Sequence, residues 1–115
     1  MEGVRQYPRY KVELSVELCS PIDHVPVRAK IADICLGGCY VELSFTRDLS
    51  SEVELTLWLD DSKLSAKGIV VSSHPSFGNG IKFTHLEDAA RAQLQLFVQN
   101  LGGNLLARAP SRQCV

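Results

Sequence analysis

The chain has 115 residues, 45% hydrophobic and 22% charged, with a formal net charge of -1. That length fits one domain with a modest core, and the apolar content excludes intrinsic disorder. Near-neutral charge excludes the basic surface that sequence-independent DNA or RNA binding requires, and no run reaches the roughly 20 apolar residues of a membrane-spanning helix.

The opening "MEGVRQYPRY" lacks the apolar core of a secretory signal, which implies a cytoplasmic protein without membrane insertion. Arg5 and Arg9 stand four apart within it, and Pro8 stiffens the segment between them. A guanidinium offers a planar fork for phosphate or for the O6/N7 edge of guanine, and a flat face for stacking on a base. Taken alone, two such arginines read equally as solvated surface side chains.

Strand signals follow. "YKVELSVEL" alternates Val12, Leu14, Val16 and Leu18 with Lys11, Glu13, Ser15 and Glu17, the period of a half-buried antiparallel strand. "SPIDHVP" is a loop. "VRAKIADIC" sets Val27, Ala29 and Ile31 against Arg28, Lys30 and Ala32, and "LGG" then turns the chain into "CYVELSF". Asp33 ends the second strand beside Gly37 and Gly38. It reads either as an acid bonding its own turn or as an acceptor for the N1 and N2 donors of a guanine, with glycines that admit positive φ and close ligand approach.

"TRDLSS" is loop-like, and "EVELTLWL" alternates again. "KLSAKGIVVSSH" is a further strand, with Gly68 marking a bulge or tight bend. "PSFGNG" leads into a last strand, "IKFTHL". The period then changes: Ala90, Leu94, Phe97, Val98 and Leu101 form one helical stripe, "THLE" has capping-box spacing, and Gly102 is a natural stop. The tail "NLLARAPSRQCV" shows no pattern. Six short strands and one helix, without βαβ alternation, predict a mostly β protein: a six-stranded antiparallel β-barrel with a C-terminal α-helix.

The conjunction of R-x-x-x-R (Arg5, Arg9), 23 intervening residues, and D-x-C-x-x-G (Asp33, Cys35, Gly38) resembles the PilZ family, bacterial domains that bind the second messenger cyclic di-GMP. The likeness continues through "GCYVEL", "GIVV" and "GNGIKF" to the helix. It implies a PilZ-like domain over residues 1–102, made of a mobile arginine-bearing segment (1–10), a barrel (10–86) and a helix (86–101), with a tail at 103–115. It also implies the ligand, cyclic di-GMP, held by Arg5 and Arg9 at phosphate and guanine, Asp33 at a guanine edge, Cys35 where the family usually has serine, and Gly37 and Gly38 in the turn. No cofactor is implied. A chain this short would act as a stand-alone adaptor, relaying the signal to a downstream protein by contact.

Two other chemistries draw on the same residues. A nucleophilic Cys35 assisted by Asp33 and His24, His74 or His85 lacks a nearby histidine in sequence, so an enzyme is not expected. A metal site from Cys35, Cys39 and a histidine has no second ligand pair, so no metal is expected there. The four cysteines, Cys19, Cys35, Cys39 and Cys114, read as reduced thiols. The alternative function is a PilZ-like docking platform in motility or pilus assembly that does not answer to the nucleotide. Trp58, Tyr7, Tyr10, Tyr40 and Phe77 would either pack the barrel or form its partner surface.

Overall fold

A computed structural model describes residues 9–59, 62–102 and 110–111. Its strands are β1 (Arg9–Cys19), β2 (Val27–Cys35), β3 (Gly38–Glu42), β4 (Glu52–Trp58), β5 (Lys63–His74) and β6 (Gly78–His85), followed by α1 (Asp88–Gly102) and a two-residue β7 (Pro110–Ser111). The order β2-β3-β6-β5-β4-β1 is closed by pairing of β1 with β2, so the six long strands form a complete antiparallel ring. Closure removes the unpaired edges that six short strands would otherwise expose.

Alternation fills the barrel as the sequence predicts. Val16, Leu18, Ile31, Ile34, Val41, Val53, Leu55, Leu57 and Ile81 are fully buried inside it. The helical stripe joins the same core: Leu94 is buried, Leu101 nearly so, and Ala90, Phe97 and Val98 pack against them. The cations of β2 are matched across the outer face by acids of β1, Arg28 to Glu17 and Lys30 to Glu13, each at 3.2 Å.

β3 and β4 stand on opposite sides of the ring, so the 43–51 connection must cross a barrel mouth. Asn79, fully buried, holds it there. Its Oδ1 accepts from the Arg47 amide at 2.7 Å, and its Nδ2 donates to the carbonyls of Arg47 at 3.0 Å and Ser72 at 3.1 Å. An amide side chain with both ends satisfied is one of the few polar groups an interior tolerates.

Several boundaries differ from expectation. "GNG" belongs to β6 and not to the preceding loop, because Gly78, Asn79 and Gly80 all pair with β3. Thr84 lies within β6, and the helix starts at Asp88, so the Thr84–Glu87 capping box does not form; Arg91 N bonds the Glu87 carbonyl at 2.8 Å instead. Gly68 does sit at a bulge, where the register shifts beside Lys67 and a Cβ would lie 2.6 Å from Ile81 Cγ2. Arg9, expected in an arm outside the regular strands, already belongs to β1. The tail contributes Pro110 and Ser111, which pair with Tyr10 and Arg9 on the edge of β1 that β4 does not reach.

Candidate functional site

Of the residues singled out for the nucleotide, Asp33, Cys35, Gly37 and Gly38 lie together at the end of β2 and its turn into β3, where β2 runs beside β1. From Leu14 to Tyr10 β1 takes four steps, while β2 covers the same span in three (Ile31 to Ile34) and β3 in two (Val41 to Cys39). Strands of unequal length side by side bend the sheet, with Ala32 as the extra residue of β2 opposite β3. The bulge also changes the side-chain parity. Val27, Ala29 and Ile31 share one phase, which continued would turn Asp33 inward. With Ala32 inserted, Ile34 faces the core, and Asp33 lies half-buried on the outer face.

There Asp33 is opposite Lys11 on β1 and opposite Tyr40 on β3. Arg9 is the first residue of β1, two residues before Lys11, so its backbone lies at the same end of the barrel as Asp33. Arg5 lies outside the described residues, as does Tyr7. Tyr40 and His74 form the far wall, with Tyr40 Oη and His74 Nδ1 sharing a hydrogen bond of 3.0 Å and their ring centroids 5.8 Å apart. Burial pushes the Tyr40 hydroxyl pKa up, and the negative charges of Asp33 and then Glu42 push it further in the same direction. The ring rests on Gly78, where a Cβ would come within 2.8 Å of Tyr40 Cε2. An outward carboxylate, a lysine opposite it and an aromatic pair beside it can hydrogen-bond, charge-match and stack a planar heterocycle. The sequence does not place Lys11, Tyr40 and His74 beside Asp33; their signal is register, which links strands far apart in the chain.

Cys35 has the same outward phase as Asp33, two residues on, yet is only 6% exposed. Gly37 lies in the two-residue turn between β2 and β3, and its carbonyl accepts from Phe83 N at 2.9 Å. Gly38 does not supply the positive φ expected of the turn glycines. No described glycine has positive φ; the left-handed residues are His24, Ser50 and Ser76. What requires Gly38 is the approach of β6, since a Cβ there would overlap the Ile81 carbonyl oxygen.

The weighed metal pair is not assembled. Cys39 faces the core opposite Ile34, whereas Cys35, adjacent to Ile34, faces the other side of the sheet. Among the aromatic residues, Tyr10 is core, Trp58 is half-buried with the Arg28 guanidinium 5.6 Å and the Lys63 ammonium 5.9 Å from its ring, and Phe77 is exposed. No helix among the described residues is long and apolar enough to cross a membrane.

A family model described as the PilZ domain matches residues 4–100. No curated protein sequence is significantly similar. Among solved structures, the chain is similar to the PilZ domain with c-di-GMP of YcgR from Escherichia coli, at TM-score 0.72 and 14% identity over 88% of this chain and 93% of that one. It is also similar to the K. pneumonia MrkH-c-di-GMP complex, at TM-score 0.77 and 12% identity over 93% and 56%. The Bacillus subtilis inhibitor of motility (MotI/DgrA) matches at TM-score 0.72 and 16% identity over 90% and 54%. The chain thus spans about half the length of these last two proteins, and at such identities the likeness establishes the fold.

Proposed function

The chain belongs to the PilZ domain family, and from that membership we propose that it is a receptor for cyclic di-GMP that relays the signal by protein contact. The observation that supports the reading is the register of β1 against β2: Lys11 stands opposite Asp33, and the backbone of Arg9 lies two residues upstream at the same end of the barrel. In this reading Arg5 and Arg9 take phosphate and guanine, Asp33 accepts from a guanine edge, and Cys35 stands beside it in place of a serine. Two structurally similar proteins carry the same nucleotide in their descriptions.

The segment bearing Arg5 closes over the nucleotide when it binds, and the surface so formed meets a downstream protein in the cytoplasm. Calorimetric titration of the full chain with cyclic di-GMP tests the receptor. Heat and saturation that Arg5→Ala and Asp33→Ala each weaken by about tenfold or more are expected; no heat at high micromolar nucleotide overturns it. Amide exchange at Val4 to Tyr10 tests the closure, which requires slower exchange with ligand.

A second reading, a docking platform indifferent to the nucleotide, draws on Cys35. At 6% exposure it offers a ligand little surface, and a thiol is a weaker hydrogen-bond partner than a hydroxyl. The same titration decides between the two.

A further inference from the structure

The opposite end of β1 carries a group of side chains that the nucleotide reading does not use. Cys19 is the last residue of β1, and Glu54 stands directly across from it on β4. His24 comes from the loop between β1 and β2. Its backbone is left-handed at φ 58°, its amide bonds the Ser20 carbonyl at 3.0 Å, and the loop thereby doubles back over the strand end. Cys19 Sγ lies 3.9 Å from Glu54 Oε1, and His24 Nδ1 lies 3.7 Å from that same oxygen. All three ligand atoms fall within 4.8 Å of one another.

We propose that Cys19, His24 and Glu54 form a three-ligand site for a divalent transition-metal ion of the zinc class, which clamps the β1–β2 loop to β4. A tetrahedral zinc centre separates imidazole nitrogen from carboxylate oxygen by about 3.4 Å and thiolate sulfur from oxygen by about 3.6 Å, as its bond lengths require. The two distances found here exceed those by a few tenths of an ångström, which small rotations of the exposed His24 ring and of the half-buried Glu54 carboxylate absorb. The ligand set selects the metal: a thiolate and an imidazole suit zinc or cobalt and discriminate against magnesium and calcium, which prefer oxygen alone.

The surroundings favour a cation. Burial, and then the negative charges of Glu54, Asp23 and Glu17 against the opposing Arg47, raise the Cys19 thiol pKa, and the same carboxylates attract a cation. A cleft of about 560 Å³ is lined by two of the three ligands, Cys19 and Glu54, and the third, His24, is exposed, so solvent reaches the group from both sides. On binding, the Cys19 thiol gives its proton to solvent and its sulfur bonds the metal as thiolate. The nucleotide site lies roughly 30 Å away along β1, at ~3.3 Å per residue, so this inference stands apart from the receptor reading.

The test is titration of the chelator-stripped full chain with Zn²⁺ against a chromophoric competitor, and with Co²⁺ followed by absorption. Equimolar binding is expected, with a thiolate-to-cobalt charge-transfer band and a raised melting temperature with Zn²⁺. Cys19→Ser should abolish the band and Cys114→Ser should leave it. His24→Asn, which tolerates the left-handed backbone, should weaken Zn²⁺ binding about tenfold or more with no change in melting without metal. Absence of equimolar Zn²⁺ binding at micromolar protein, a band surviving Cys19→Ser, or a band lost with Cys114→Ser overturns the proposal.

Discussion

Lys11 and Asp33 stand directly opposite one another across β1 and β2, on the outer wall of the barrel and two residues from Arg9. Directly opposed residues hold their Cβ atoms about 5 Å apart, so a basic and an acidic group share one small patch. Because Asp33 faces away from the core, its replacement separates recognition from folding. Asp33→Ala should weaken cyclic di-GMP binding by about 10- to 100-fold, the ~1.5–3 kcal/mol of hydrogen bonds to a charged group, while changing the melting temperature little. Calorimetry beside thermal denaturation checks both halves.

Cys35 shares the outward phase of Asp33, so a hydroxyl placed there should reach the same ligand. Cys35→Ser is expected to tighten cyclic di-GMP binding by up to about tenfold, corresponding to ~0.5–1.5 kcal/mol for one added hydrogen bond. An unchanged dissociation constant would mean that position 35 does not touch the nucleotide.

Gly38 should prove indispensable to the fold whether or not nucleotide is present. A methyl group there meets the Ile81 carbonyl, a backbone atom that can yield only if β3 and β6 part. Gly38→Ala should cost at least about 1–3 kcal/mol, the usual range for overpacking. A urea midpoint equal to that of the parent would contradict the close approach of the two strands.

Asn79→Ala should destabilise the protein by about 1–3 kcal/mol, since the Arg47 amide and the carbonyls of Arg47 and Ser72 lose their buried partner. The damage should be local as well as global. Faster amide exchange at Arg47 in the variant is the diagnostic reading, and unaltered exchange there would refute the anchoring role.

Tyr40 gives the fold a sensitivity to alkali. Its hydroxyl pKa is raised above the ordinary value of 10.0 by burial and by the charges of Asp33 and Glu42. Above pH 10 the unfolded chain therefore releases this proton more readily than the folded one. The stabilisation is whole below that pH and declines as pH rises through the folded value. Tyr40→Phe should flatten this decline in urea midpoints measured across the alkaline range. An identical slope in parent and variant would rule out Tyr40 as its source.

Much of the barrel was legible because local period and burial coincide. Val12, Leu14, Val16 and Leu18 alternate on the inner phase of β1, and Ala90, Leu94, Phe97, Val98 and Leu101 form the buried stripe of α1. The misreadings arose where a tertiary partner overrides local chemistry. Gly78 to Gly80 look like a turn but are drawn into β6 by β3, and Thr84 to Glu87 look like a helix start but supply the end of a strand. Pro110 and Ser111 reach β1 across nearly the whole chain, a contact no local pattern encodes. At the candidate site the residues were legible and their geometry was not. The spacing of Ile31 and Ile34, three instead of two, was the one local hint of the bulge that sets Asp33 outward.

Among the described residues, inward side chains such as Leu18, Leu55, Leu57 and Ile81 fill the barrel, and the proposed nucleotide site lies on its outer wall. Recognition there would use positions whose exchange leaves no void behind. Affinity and selectivity can therefore drift by single substitutions while the scaffold's thermal tolerance stays put, an independence that proteins with ligands lodged in their interiors do not enjoy.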